Sequence, residues 1–280
     1  MSAVVDAICP PRMGRGFRWL LASSWVTNLG DGIAIAAGPL LVASQTSDPL
    51  MIALAGLLQR LPWVLFGLQA GVFADRHDRR RIVIVVNLVR ATVLALLAAS
   101  IVTGTVNVTV VLLAMFALGT AEAITDITAS TLLPMVVDHD DLGVANSRFV
   151  VGHITVNQLA GPPLGAFLFA AGMALPFVSY AVLMAFGALL IARCSITRLP
   201  SVSRQSVRAE IAEGIRWLWD HAAMRTLTLT VVAFNVTFGA ALSIEVLYAF
   251  ERLGLSEVGF GWLITSSAVG GVLGSTAYGR

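Results

Sequence analysis

The amino-acid sequence predicts an all-α integral membrane protein, and two observations carry this prediction: its composition and the length of its apolar runs. Of 280 residues, 57% are hydrophobic and only 12% are charged, whereas about 25% of the residues of a soluble domain are charged. A helix needs roughly 20 apolar residues to cross a bilayer, and several runs in this sequence reach that length. These runs are apolar on all sides and lack the alternation of membrane-spanning strands.

Eight apolar runs have the length of transmembrane helices. The fourth run is the least regular, because Glu122 and Asp126 lie at its end. Several runs contain Gly and Pro, which membrane helices tolerate better than soluble helices do. The eight predicted spans are 17–44, 50–74, 82–103, 108–123, 146–171, 174–193, 227–250 and 258–278.

The distribution of arginines predicts the orientation of the chain. The sequence has no Lys, and if the eight spans alternate in direction, nearly all arginines at the ends of the spans fall on one side, with Arg252 as the exception. Short loops rich in Arg face the cytoplasm, so the N-terminus and the segment 194–225 are predicted to be cytoplasmic. Cys9 and Cys194 would then lie where thiols stay reduced.

The chain divides into two unequal parts around one polar stretch. In that stretch Ile211, Ile215, Leu218 and Trp219 recur at helical spacing among charged residues, which predicts an amphipathic helix lying on the cytoplasmic membrane face. The first two spans and the last two end alike, in a Gly-rich sequence followed by Arg, which indicates an internal repeat. The predicted division is a six-helix half at 1–193, a cytoplasmic linker at 194–225 and an incomplete second half of two helices at 226–280.

The loop between the second and third spans carries the most informative motif, GVFADRHDRRR at 71–81. It resembles the signature that members of the major facilitator superfamily carry between helices two and three. Phe73 stands where that signature has Leu, and Asp78 stands where it has its second Gly. An Asp at that place is similar to the branch that includes bacterial siderophore exporters and macrolide efflux proteins.

The motif has a physical interpretation as a gate. Gly71 would allow close approach of a neighbouring helix, and Asp75 would pair with Arg79 or Arg76. Such a latch can hold the cytoplasmic side closed in one state and release it in another, and Arg80 is counted with the same motif. The alternative is that the arginines only anchor the loop on the cytoplasmic side.

A second motif lies in the fifth span, where Gly161, Pro162, Pro163 and Gly165 form the sequence GPPLG. It resembles the core of the exporter motif in helix five of major facilitator antiporters, although the upstream glycines of that motif are absent. The prolines predict a bend, and the two glycines predict close packing. The resemblance implies a major facilitator helix bundle with alternating access between two halves, which here would end after the eighth of twelve helices.

Ionisable residues at membrane depth are candidate functional residues. Asp31 is the first candidate for a proton carrier, and its neighbours Gly30 and Gly32 would leave room for water or substrate. The alternative is a static ion pair of Asp31 with Arg60 in the second span. Glu245 in the seventh span is the other proton-coupling candidate, unless it reaches the outer interface.

Other polar residues in the spans are candidates for the wall of a central cavity. Asn28, Arg60, Asn157 and Asn235 are the first of these, although buried amides more often bond between helices. His153 is predicted to be a packing residue. Glu122 and Asp126 are expected to join the gate network of Arg76 and Arg79, or to lie at the interface.

The function predicted from these observations is proton-coupled efflux of a small amphipathic compound, drug-like or siderophore-like, across the plasma membrane. Its partners would be the substrate, protons and the lipid bilayer. The sequence contains no metal-ligand cluster, phosphate loop or nucleophile–base arrangement, so no enzyme activity and no cofactor are predicted, and the clustered charges do not indicate a nucleic-acid partner. Three alternatives stay open: an importer, a fragment without transport activity or partner of a full-length homologue, and a membrane enzyme.

Overall fold

The computed structural model describes residues 11–194 and 207–278, which are helical over most of their length. Helices α1 to α4 follow one another with short connections. Helix α5 is a continuous run at 142–171 in which a π-helical segment, His153–Ala160, joins two α-helical segments, Leu142–Gly152 and Gly161–Ala171. The other helices are α1 (Gly14–Gln45), α2 (Pro49–Arg76), α3 (Arg79–Val102), α4 (Val108–Ser130), α6 (Leu175–Ala192), α7 (Val207–Asp220), α8 (Ala222–Glu251) and α9 (Glu257–Tyr278).

Side-chain caps fix where three of these helices begin. Asp48, Asp78 and Asn107 each stand before the first helical residue and accept a hydrogen bond from a backbone N–H two or three residues later. A helix leaves its first N–H groups without intrahelical partners, and such caps satisfy one of them. The polar residues that separate the apolar runs therefore also start α2, α3 and α4.

Six helical stretches are long and apolar enough to cross a membrane within the described residues: α1, the first part of α2, α3, α4 with the turn after it, α6 and α8. The predicted fifth and eighth spans are helical as well, but α5 is divided by its π-helical segment and α9 is rich in Gly and Ser. That these two also cross the bilayer stays a prediction. The predicted end of the fourth span was too early, because α4 continues as regular helix to Ser130.

Close contacts between backbones hold α1 against α5. A Cβ atom added at Gly161 would overlap the backbone of Gly32, and one added at Gly165 would overlap the carbonyl of Ile33. Small residues let membrane helices approach in this way and gain van der Waals contact. The most extensive packing pairs α2 with α4, α3 with α6, and α1 with both α5 and α6.

The last two helices contact the rest of the structure through limited patches. Gly56 of α2 packs on Ser243 of α8, and Gly261 of α9 packs on Ala166 of α5. The first twenty residues of α8 are almost all exposed. These contacts lie toward the predicted outer ends of the helices.

The predicted linker helix is present as α7. Ile215 and Trp219 on its apolar side are exposed in the structure, as expected for a helix that lies on a membrane surface. The side chain of Ile211 and the segment 195–206 are outside the described residues. The surface location of α7 and the division of the chain at 193 and 225 stay predictions.

Candidate functional site

A buried triad of polar residues lies at the centre of the bundle. Asp31 of α1 forms an ion pair with Arg90 of α3. The hydroxyl of Tyr180 on α6 donates a hydrogen bond to the same Asp31 oxygen, Oδ1, and accepts one from Arg90 Nη2. The side chain of Arg90 is 1% exposed and that of Asp31 is 21% exposed. One carboxylate therefore ties together helices α1, α3 and α6.

The ion pair corrects the partner expected for Asp31. The alternative partner suggested by the sequence was Arg60, but Arg60 is exposed and Asp31 pairs with Arg90 instead. Arg90 was missed although it interrupts an apolar run midway along the third span, which is itself the signal of a functional residue. It lies on the buried stripe of α3, together with Leu94 and Leu97.

The glycines beside Asp31 do not leave it open space. A Cβ atom at Gly30 would overlap the ring of Tyr180, and one at Gly32 would overlap the backbone of Asn157. The expectation of room for water or substrate around both glycines was therefore wrong, because the ring and the neighbouring helix fill that room. Gly30 instead allows Tyr180 to reach Asp31.

Two more carboxylates stand close to the triad. Glu122 and Asp126 of α4 interact electrostatically with Asp31, Arg90 and Arg60, and within the described residues neither forms an ion pair of 4.0 Å or less. The network expected with Arg76 or Arg79 is corrected, because α4 continues as regular helix and sets Glu122 and Asp126 beside Arg60 and Arg90 instead. The cluster contains three carboxyl groups and two guanidiniums, so with all five ionised one negative charge would lack a matching cation among the described residues.

A small cavity adjoins this cluster. It has a volume of about 20 Å³ and its lining includes Gln59, Glu122 and Tyr180, which is room for about one water molecule. Most of the lining is apolar, and Gln59, Glu122 and Tyr180 are its polar members.

A second polar group links α1 to the π-helical segment of α5. Asn28 Nδ2 donates to the carbonyl of Ser24 at 2.8 Å, so its Oδ1 faces His153 Nδ1 at 3.0 Å. His153 Nε2 lies 3.3 Å from Gln158 Nε2. Both ring nitrogens of His153 have polar partners, as expected of a satisfied histidine, but the side chain is exposed and is not a packing residue.

The remaining cavity candidates differ in their surroundings. Asn157 is buried and donates to the backbone carbonyl of Asn28 at 3.2 Å, so it joins two helices rather than lining a cavity. Asn235 is exposed and its amide bonds to the carbonyl of Val231 on its own helix. Glu245 is half-buried beside Val246, where α8 packs on the core.

The π-helical segment has a local cause in the two prolines that follow it. Pro162 and Pro163 lack the N–H groups that would bond to carbonyls one turn earlier. They stand at the first turn of the segment Gly161–Ala171, where prolines are tolerated, and the preceding eight residues take the wider π-helical turn. Such segments are frequent at functional sites.

The gate motif at 71–81 makes some of the contacts that the sequence predicts. Asp75 accepts a hydrogen bond from Arg79 at 2.6 Å, and Arg80 donates to the carbonyls of Ile191 and Ala192 at the end of α6. A cation at a helix C-terminus satisfies free carbonyls and the helix dipole. The role of Gly71 is corrected, because a Cβ atom there would meet a side chain of α4 at an ordinary 4.0 Å.

Cys194 lies just beyond the end of α6. Its thiol is fully buried and donates to the carbonyl of Gly16 at 3.3 Å. Burial raises the pKa of the Cys194 thiol, and the nearby guanidinium of Arg80 opposes this only in part. The thiol is therefore mostly protonated at neutral pH and is poorly reactive.

Comparison with known proteins places this arrangement in a family. Residues 7–280 match the model of a major facilitator family described as transmembrane secretion effector. The chain belongs to this family. It is a multi-pass protein of the cell membrane, and the prediction of an all-α bundle of the major facilitator type is confirmed.

Similar proteins include efflux pumps. The chain is 28% identical over 275 residues to the multidrug efflux pump Tap of Mycolicibacterium fortuitum, covering 92% of this chain and 65% of the pump. It is 26% identical over 277 residues to Tap of Mycobacterium tuberculosis, covering 92% and 64%. The chain thus spans less than two thirds of the length of these relatives. Their names are those of transporters, not of enzymes.

A solved structure with the same fold is that of a bacterial homologue of the human lysosomal transporter Spinster, in an inward-facing and unoccupied conformation. The TM-score is 0.70 at 18% sequence identity, covering 96% of this chain and 63% of the homologue. The same homologue in an inward-facing and occupied conformation gives a TM-score of 0.67 at 17% identity. At this identity the likeness establishes the fold alone.

Proposed function

We propose that the chain acts in proton-coupled efflux of a small amphipathic compound by alternating access. The observation that carries the proposal is the cluster of Asp31, Arg90 and Tyr180 beside two further carboxylates. Ionisable groups inside a membrane bundle are costly and serve as relays or ligand sites. The similarity to multidrug efflux pumps favours outward transport of a drug-like compound.

The coupling step would be the opening of the Asp31–Arg90 pair. While Asp31 is ionised, it holds Arg90 and Tyr180 and so fixes α1 against α3 and α6. A proton on Asp31 removes the charge that holds the guanidinium, and Glu122 and Asp126 are then its nearest anions. Protonation would therefore replace the contact of Arg90 with Asp31 by contacts with Glu122 and Asp126. A conformational switch requires such a difference in interactions between its two states.

The excess of one carboxylate over the guanidiniums supports proton uptake at this cluster. An unmatched charge in a medium of low dielectric constant is unfavourable, and a bound proton or a cationic substrate would neutralise it. Competition between the two for the same carboxylates is the simplest form of proton–substrate exchange. Glu245 lies on α8, outside this cluster, and remains a second proton-coupling candidate.

The exposed first part of α8 fits an inward-facing step of the cycle. The contacts of Ser243 and Gly261 with α2 and α5 would close the outer side under the predicted topology. In an inward-facing state a compound enters from the cytoplasm, which is the loading step of an exporter.

The test is export of ethidium from cells that produce the protein, followed by fluorescence with and without a protonophore. We expect lower steady-state ethidium in producing cells, loss of this difference with the protonophore, and loss of it with Asp31→Asn. The matched control is Asp48→Asn, which changes a capping carboxylate outside the bundle. Higher ethidium in producing cells would instead indicate an importer.

A second candidate is that this chain has no transport activity by itself and acts with, or as part of, a longer homologue. The observations that favour it are the coverage of less than two thirds of the relatives and the exposed apolar side chains of α8, such as Phe234, Val236 and Phe238. Equal ethidium levels in producing and non-producing cells, with folded protein in the membrane, would support this candidate over the first.

A further inference from the structure

The most unusual buried group outside the triad is Asn87 of α3. Its side chain is 1% exposed, and neither its amide nitrogen nor its amide oxygen has a hydrogen-bond partner among the described residues. A buried amide without partners is unfavourable, and in native proteins such a group calls for an explanation. Another state of the protein in which the amide is satisfied is one such explanation.

Arg90 carries the complementary unsatisfied atom. Its Nη2 donates hydrogen bonds to Asp31 and Tyr180, but its Nε is buried and has no hydrogen-bond partner among the described residues. Nε–H is a donor and the Asn87 oxygen is an acceptor. The two unsatisfied groups are thus a donor and an acceptor that match in chemistry.

The two residues are also placed to meet. Asn87 and Arg90 are three positions apart on one helix, and both belong to the buried stripe of α3 that continues with Leu94. Side chains at this spacing lie on the same face, about 5–6 Å apart at Cβ. A change of rotamer of Arg90 would bring Nε to the amide without moving the helix backbone.

We propose that Asn87 is the second partner of Arg90, accepting its Nε–H when Asp31 no longer holds the guanidinium. The proposal deepens the coupling step given above, since protonation of Asp31 is what would release Arg90. The amide keeps the guanidinium bonded during the change and lowers the barrier to opening the pair. Asn87 is therefore a positioning residue, acting through Arg90.

The first experiment relocates the charge and does not depend on transport. Asp31→Asn should lower the apparent Tm of the detergent-solubilised protein, and adding Asn87→Asp should recover at least half of that loss, because the new carboxylate reaches Arg90. Asn157→Asp in the same background is the control, since Asn157 is also buried but bonds toward α1 from α5. No recovery, or equal recovery with Asn157→Asp, would overturn the proposal.

The same comparison holds when Asp31→Asn does not accumulate as folded protein. The measurement is then the yield of monodisperse protein by fluorescence-detected gel filtration. Recovery of the peak in the Asp31→Asn, Asn87→Asp protein is the expected result, and absence of the peak contradicts the proposal. A failure of the transport hypothesis leaves both measurements interpretable, because neither uses a substrate.

The second experiment measures the pH dependence of ethidium efflux. If Asn87 stabilises the state with protonated Asp31, Asn87→Leu should shift the half-maximal pH to lower values, by about 0.5–1 unit for one hydrogen bond, and Asn87→Gln should restore it. An unchanged midpoint in Asn87→Leu would show that the residue only packs. The charged and titratable groups that act on Arg90 are Asp31 of α1, Glu122 and Asp126 of α4, and Tyr180 of α6. Arg60 of α2 acts on the two carboxylates of α4.

Discussion

Replacing Asp31 with Asn removes the carboxylate that holds Arg90 and should destabilise the folded protein strongly. The guanidinium of Arg90 is 1% exposed, so water cannot replace the lost partner. Breaking a buried pair by removing one member costs about 3–5 kcal/mol. At about 2–4 °C per kcal/mol for a chain of this size, the apparent Tm should fall by roughly 10 °C.

The assay is the thermal stability of a fluorescent-protein fusion in mild detergent, read by gel filtration after heating. Asp140→Asn is the matched control, because Asp140 is an exposed carboxylate outside the cluster that forms no ion pair among the described residues. It should leave the Tm within about 2 °C, since exposed charges contribute little. A fall in Tm for Asp31→Asn no larger than that for Asp140→Asn would refute the reasoning.

The buried ion pair of Asp31 with Arg90 also leads us to expect a particular stability when both residues are replaced. Asp31→Asn with Arg90→Leu removes the unpaired guanidinium as well as the carboxylate, and a buried pair replaced by uncharged groups is often no less stable. We expect the double variant to melt above Asp31→Asn alone. Tyr180→Phe removes two hydrogen bonds, the one donated to Asp31 and the one accepted from Arg90, and should cost about 2 kcal/mol.

Three further predictions follow from the contacts described above. Gly165→Ala places a methyl group on the carbonyl of the facing helix and should reduce folded yield severalfold in membrane preparations. Gly71→Ala should not, because its methyl group would make an ordinary contact of 4.0 Å with Ile127. Asp75→Asn should change the Tm by less than about 2 °C, because the carboxylate is 59% exposed and an i,i+4 pair is worth about 0.3–0.5 kcal/mol. It should slow ethidium efflux if the pair is a latch, and normal efflux would remove that role. Cys194 should react slowly with maleimide at pH 7 and faster as the pH rises. Its slow reaction keeps its contribution to the background low when an introduced cysteine at position 203 is labelled. Labelling at position 203 by an impermeant reagent from outside intact cells would contradict a cytoplasmic linker.

The sequence by itself determined the class of the protein and the position of most helices. Long apolar runs must be helical in a membrane because every backbone polar group needs a partner within its own segment. The caps at Asp48, Asp78 and Asn107 are local as well, since each acts on its own helix. The motifs at 71–81 and 161–165 were enough to indicate the family, because they are short and contiguous.

The tertiary structure decided which of the charged residues meet. Successive residues of a helix point about 100° apart, so the partner of Asp31 depends on how α2 and α3 are rotated about their axes. That rotation turns Arg90 inward and leaves Arg60 exposed. Hydropathy carries no information on it when a run is apolar on all sides.

Close packing decided the remaining features of the site. Tyr180 reaches Asp31 only because Gly30 gives its ring space, and α5 lies against α1 because Gly32, Gly161 and Gly165 present bare backbone to it. Each of these contacts joins residues more than 100 positions apart, so no local pattern in the sequence specifies them. They arise because several helices must fill the same volume at once, and only the folded arrangement of all of them fixes which side chains share it.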